Sequence, residues 1–309
     1  MVRFMVRRLA MALVSLFFVV TLTFFIMKAI PGGPFASEKS LPPNILAAIN
    51  EKYHLNDPLW KQYVDYLGRT ARWDFGPSFK YPNRTVNDII RDGFPVSAAV
   101  GAMAVGLALG VGLLAGVMSA LKQNHFQDYG TMVLATLGFS VPSFVMAGLL
   151  QYFLAYRWQV LPPALWGSWK NIVMPALALS ALPTAMIARL MRSSMLEVLQ
   201  QDYIKTARAK GLSERVIIYR HVLRNAILPV VTYLGPLIAG VFTGSFIIES
   251  IFAVPGLGRW FVLSIANRDY TVIMGTTVFY SLFLIAMNLL VDLAYVIIDP
   301  RIKLVDRKE

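Results

Sequence analysis

The chain has 309 residues, 57% hydrophobic and 15% charged, with a mean hydropathy of +0.58. Soluble domains carry about 25% charged residues, so this balance excludes an ordinary water-soluble protein and points to lipid as solvent. Cysteine is absent and His54, His125 and His221 lie far apart, which excludes a disulfide framework, a thiolate metal site and a histidine cluster. The net charge of +12 sits beside apolar segments rather than in one basic domain, which argues against nucleic acid.

A membrane helix needs about 20 mostly apolar residues. In chain order, Leu9–Met27, Val96–Leu121, Tyr129–Tyr156, Asn171–Ala188, Asn225–Ile248 and Tyr270–Val291 meet or approach that length without a charged side chain. The expected fold is therefore all-α, with six transmembrane helices and a small extracytoplasmic segment between the first two. The first span has the basic start of a signal peptide (Arg3, Arg7, Arg8). Its apolar run exceeds the usual ~7–15 residues, so an uncleaved anchor is expected. Proline falls inside the third span (Pro142), the fourth (Pro175, Pro183) and the fifth (Pro229, Pro236), where neighbours or a polar cavity must satisfy the freed carbonyls.

Lysine and arginine set the direction. With the N-terminus in the cytoplasm, the inside segments hold the three N-terminal arginines, Lys122, the basic stretch from Arg189 to Arg224, and Arg301, Lys303, Arg307 and Lys308. Both termini are then cytoplasmic in a multi-pass protein. Tyr152, Tyr156, Trp158, Trp166 and Trp169 mark the outer interface. The expected organisation is a cytoplasmic start (1–8), a first span (9–30), an outer cap (31–95) and a membrane core (96–298), ending in a cytoplasmic tail (299–309). Within the core lie spans 96–121, 129–156 and 171–191, a cytoplasmic loop 192–224, a span 225–248, an outer loop 249–270 and a last span 271–298. In the cap, helical stretches are expected from Pro43 to about Tyr53 and from about Pro58 to Ala71.

Three GxxxG pairs, Gly106–Gly110, Gly112–Gly116 and Gly240–Gly244, permit close helix approach, either at a subunit interface or within the chain. Asn288 and Asp292 share a face of the last span. An intramembrane carboxylate marks either a substrate or ion path or a pairing with a neighbouring helix or interfacial arginine.

The basic stretch DYIKTARAKGLSERVIIYRHVLRNAILP reads as two short helices joined at Gly211. The first runs from about Asp202 to Lys210 with Arg208 near its negative end. Ser213 is expected to cap the second, with Glu214 in its first turn. Ala207 and Ala209 leave a slim surface. The elbow suits either docking into a groove on another protein or lying on anionic lipid. The segment from Glu249 to Tyr270 is too irregular to span and too apolar for a free linker. Pro255-Gly256 marks a turn, Gly258 adds flexibility, and Trp260 suits an apolar–water boundary. It is expected either to form part of an outer gate, with Glu249 and Arg259 offering polar contacts, or to seal the bundle as a re-entrant helix.

The basic stretch resembles the EAA loop of bacterial ABC-importer permeases. Gly211 matches its glycine, Ala207 its second alanine and Leu223 its leucine; Lys205, Thr206 and Arg224 depart from its glutamate, first alanine and proline. TARAKG followed by RHVLRNA, with LPPNILAAINEKYHLNDP, DFGPSFKY, ESIFAVPGLGRWF, NRDY and IDPR, is similar to the OppB-like members of the OppBC/DppBC peptide/nickel permease family over nearly the whole chain. The resemblance implies the ABC importer type I permease fold in a bacterial inner membrane, and half of a translocation pathway for oligopeptides. It implies, as partners, a second OppC-like permease, two OppD/OppF-like ATPases and an OppA-like external peptide-binding protein, besides membrane lipid and no nucleic acid. Residues 205–209, 211, 223 and 224 would couple to the ATPases. No G-x-x-x-x-G-K-[ST] phosphate loop occurs, so ATP and Mg belong to the partner subunits, no cofactor is expected here, and the chain is not itself an enzyme. Relatives also carry dipeptides, glutathione or nickel complexes. An ion-coupled secondary transporter would need intramembrane ionisable pairs, for which Asp292 stands alone. A membrane-embedded enzyme would need a catalytic constellation, and neither HExxH nor GxSxG is found.

Overall fold

The computed structural model describes residues 2–31, 33–35, 47 and 50–298. Most of the stretch from Pro43 to Tyr53, the tail 299–309 and nearly all of the IDPR string lie outside the described residues. Among those described, the only β pairing is an isolated bridge between Pro77 and Thr85. Among the described residues, five helices are long and apolar enough to cross a membrane, and a bent pair makes up to six. The chain divides into two compact units, residues 1–96 with 256–285 and residues 97–255 with 286–309.

The first unit begins with α1 (Val2–Ala29), whose 28 residues reach about 42 Å at 1.5 Å each. The cap helix α2 (Leu59–Ala71) turns Tyr63, Tyr66 and Leu67 inward, and Tyr66 stacks on Phe24 of α1 at 5.5 Å. α3 (Val86–Leu121) starts in this unit. Thr85 and Asp88 form a capping box there, with Asp88 N donating to Thr85 Oγ1 (3.1 Å) and Thr85 N donating to Asp88 Oδ2 (3.0 Å). Val20, Phe75, Val86, Ile89, Leu257 and Val272 form the core.

In the second unit α4 (Phe126–Ser140) and the following helix, α5 (Ser143–Leu150, continued as a π-helix to Arg157), meet at 103°. The third span is thus not one straight helix. Pro142 cannot donate to the turn before it and drives Val141 into an extended conformation, so the ladder stops there. The fourth span behaves differently: α6 (Lys170–Leu199) runs unbroken for 30 residues past Pro175 and Pro183 and extends beyond the ends expected at Ala188 and Met191.

The glycine pairs of α3 separate into two kinds. A Cβ on Gly116 would lie 2.6 Å from the Ala188 carbonyl, and one on Gly112 would lie 2.9 Å from the Ile187 side chain, so this pair packs on α6. Gly106 and Gly110 have nothing within 4 Å of a Cβ position. Gly244 lies beyond the end of the fifth-span helix with φ of 90°, so Gly240–Gly244 is not a pair on one helix.

Candidate functional site

The elbow around Gly211 begins with α7 (Asp202–Ala209), where Lys205 pairs with Asp202 at 2.8 Å and holds that exposed carboxyl below its ordinary range. α7 ends in a Schellman turn: Leu212 N donates to Ala207 O (3.3 Å) and Gly211 N donates to Arg208 O (2.9 Å). Gly211 has φ of +76°, the left-handed conformation this turn requires, while the space around its Cβ position is open. Backbone geometry alone selects glycine here.

The chain restarts at α8 (Glu214–Val216), passes through a π-helical stretch from Ile217 to Val222 and closes with Leu223–Ala226. Ser213 sits at the N-cap position, but its side chain makes no cap bond, contrary to the sequence expectation. Glu214 instead reaches back across the elbow, accepting from Arg208 Nε at 2.8 Å and Nη2 at 3.4 Å. Asn225 Nδ2 donates to the Tyr203 hydroxyl at 2.9 Å and so ties the two arms again.

Ala207 is not a docking surface. It is buried with Ile204 against a core that includes Met191, Met195, Ile217, Val222 and Ala226, and Leu223 packs on the same cluster. A small residue lets α7 lie close to that core. The face left outward carries Lys205, Thr206, Arg208 and Ala209, with Arg224 also exposed. Around it stand Tyr203, Leu212, Val216 and Tyr219, the last 74% exposed. Of these four only Tyr219 lies in the π-helical stretch.

The same unit holds a feature that the sequence did not single out. Asp128, 1% exposed, accepts from Arg192 Nε (2.6 Å) and Nη2 (2.7 Å), from Asn124 N (3.0 Å) and from the Ser119 hydroxyl. It joins the end of α3, the start of α4 and α6.

The segment from Glu249 to Tyr270 falls in both units. In the second, α9 (Leu228–Phe242) is followed by α10 (Phe246–Ile251), which carries Glu249. Glu249 is 3% exposed and accepts from Ser97 Oγ at 2.7 Å, so it is not offered at the surface as the gate reading expected. Pro255 is exposed beside the turn. In the first unit, Gly256 is the N-cap of α11 (Leu257–Ala266), and Gly258 is buried inside that helix rather than acting as a flexible point. Trp260 meets the Tyr81 ring edge-on at 4.9 Å and lies 5.6 Å from the Arg84 guanidinium, while Arg259 is exposed. α12 (Tyr270–Ile298) follows. Just before it, fully buried Asp269 accepts from Phe79 N (3.1 Å), Lys80 N (3.3 Å), Thr271 Oγ1 (3.0 Å), Val272 N (3.4 Å) and the Ser78 hydroxyl. The strings DFGPSFKY and NRDY therefore meet at one carboxylate. Farther along α12, in the second unit, Asn288 Oδ1 lies 3.0 Å from where a Gly235 Cβ would stand, and Asp292 is partly buried one turn on.

The family described as binding-protein-dependent transport system inner membrane component matches residues 112–304, and its N-terminal counterpart matches residues 1–101. This chain belongs to that family. It is an inner-membrane permease component with several spans, and its relatives are transport components rather than enzymes. The dipeptide transport system permease protein DppB of Bacillus subtilis is 51% identical, over 98% of this chain and 99% of the relative. The oligopeptide transport system permease protein OppB of Salmonella typhimurium is 48% identical and that of Escherichia coli K12 47%, each over 98% of this chain and 100% of the relative. Among solved structures, a chain of an amino acid ABC transporter with histidines aligns with a TM-score of 0.53 at 16% identity, covering 67% of this permease and 93% of that chain. One from the inward-facing MetNI methionine ABC transporter aligns at 0.51 and 17%, covering 67% and 92%. The six-span type I permease fold fits these neighbours.

Proposed function

We propose that this permease forms half of the translocation pathway of an ATP-driven importer for oligopeptides, beside a second related permease. One of two separate ATPase subunits docks on the elbow around Gly211, and an external binding protein delivers the peptide. The observation that carries this reading is the elbow itself. Its two arms are fastened by the Schellman turn, by Arg208–Glu214 and by Asn225–Tyr203, and they present Tyr203, Leu212, Val216 and Tyr219 outward. A rigid projection with an exposed aromatic suits an aromatic-and-apolar groove on a partner. ATP-driven closure of the partners would then move the helices attached to it as rigid bodies.

A dipeptide substrate is the second reading, favoured by the 51% identity to the Bacillus DppB protein. Uptake of labelled peptides of two to six residues, by the complete importer with its own binding protein, tests both. ATP-dependent uptake that fails for every length would refute the peptide reading, and a sharp cut-off after two residues would select dipeptides.

A further inference from the structure

In the first unit, a cavity of about 400 Å³ lies among the outer end of α1, the cap helix α2 and the start of α12. That volume is within the ~300–1,000 Å³ of small-ligand sites. Its walls combine aromatic rings (Phe24, Tyr66, Phe79) with charges of both signs. Two features make it more than a gap.

The first is the Lys28 ammonium. Gln62 Nε2 donates to Leu55 O (3.0 Å) and Asp57 O (2.7 Å), which fixes the amide and aims Gln62 Oε1 at Lys28. Lys28 also lies 5.8 Å from the Phe24 ring centroid. An ammonium has three donors and the amide takes one. No carboxylate among the described residues is within ion-pair distance of this partly buried cation. It is held in place with hydrogen-bonding capacity left over. The second feature is the charge arrangement: Lys52 and Arg69 share the wall with Lys28, while the Asp65 and Asp74 carboxylates supply the opposite sign.

We propose that this cavity is a peptide site on the permease itself, in which Lys28 receives the C-terminal carboxylate of a short peptide, Asp65 and Asp74 attract its ammonium, and the rings take its side chains. The inference rests on the peptide reading above. An aromatic wall with both charges matches a zwitterion, whereas an anionic phospholipid would place its phosphate at Lys28 and bring no ammonium to Asp65 and Asp74.

The test uses the assembled importer, without its binding protein, in phosphatidylcholine nanodiscs. The probes are a radiolabelled tripeptide with free termini and the same peptide amidated at its C-terminus. A lost charge-assisted hydrogen bond weakens binding roughly ten- to a hundredfold, so the amide should bind about that much more weakly. Lys28→Met should weaken the free acid to the level of the amide, and Lys28→Arg should keep the preference. Equal binding of acid and amide by the unaltered importer, or no binding of either, overturns the site without recourse to any variant. It is also overturned if Lys28→Met changes only the anionic lipid retained by the complex. ATP-driven uptake by the full system separates the two failures: uptake of peptides without a carboxylate preference on the permease refutes this site alone, and absence of peptide uptake refutes the substrate reading.

Discussion

Arg192 grips Asp128 with two parallel hydrogen bonds, 2.6 Å from Nε and 2.7 Å from Nη2, across 64 residues of sequence. Ser119 and Asn124 take up the carboxylate's remaining acceptor sites, so the group is fully engaged although almost wholly buried. Removing one partner of such a buried pair typically costs about 3–5 kcal/mol, because the other charge is stranded. Arg192→Met should therefore lower the thermal stability of the purified permease more than the double variant Asp128→Asn/Arg192→Met. A double variant as unstable as the sum of its single variants would refute the coupling.

At Gly211 the limit is φ, not space. Left-handed backbone costs an L-residue about 1–2 kcal/mol and is most readily adopted by asparagine after glycine. Gly211→Asn should keep most transport, Gly211→Ala less, and Gly211→Val least, with all three still inserted in the membrane. Peptide uptake and transport-linked ATP hydrolysis would be read together, and an unaffected Gly211→Val would remove the elbow from the coupling path.

The two glycine pairs of α3 should respond oppositely. A methyl on Gly116 collides with backbone, which overpacked cores resist by about 1–3 kcal/mol. Gly116→Ala should lower the yield of folded permease, whereas Gly106→Ala should not. Equal yields, measured by fluorescence-detected size-exclusion of a tagged protein, would contradict the packing.

Asp269 is the shared acceptor of the backbone N–H groups of Phe79, Lys80 and Val272. Asp269→Ala should loosen residues 75–81 and raise their cleavage by external protease. Asp269→Asn, keeping one acceptor oxygen, should lie between it and the unaltered chain.

Orientation can be read with a reporter active only outside the cytoplasm. It should be active when fused near Lys61 and silent near Lys210. Activity at Lys210 would reverse the placement of the elbow and with it the docking proposal.

Sequence alone determined the membrane class, the positions of the apolar segments, the stop at Gly211 and the family strings. These depend on local quantities: apolar length, the missing N–H of proline and the φ freedom of glycine. Local rules marked Pro142 inside the third span, but neither the end of the helix there nor the 103° bend. Tertiary structure decided which glycine pair meets a neighbour, turned Ala207 inward, buried Glu249 against Ser97 and formed the Asp128–Arg192 and Ser78–Asp269 contacts. Each of these joins residues distant in sequence or depends on which face of a helix is covered. Composition and periodicity say that a face is apolar or small, but only packing says what lies against it. Aspartate and arginine near a span end look alike whether they meet water, lipid or one another.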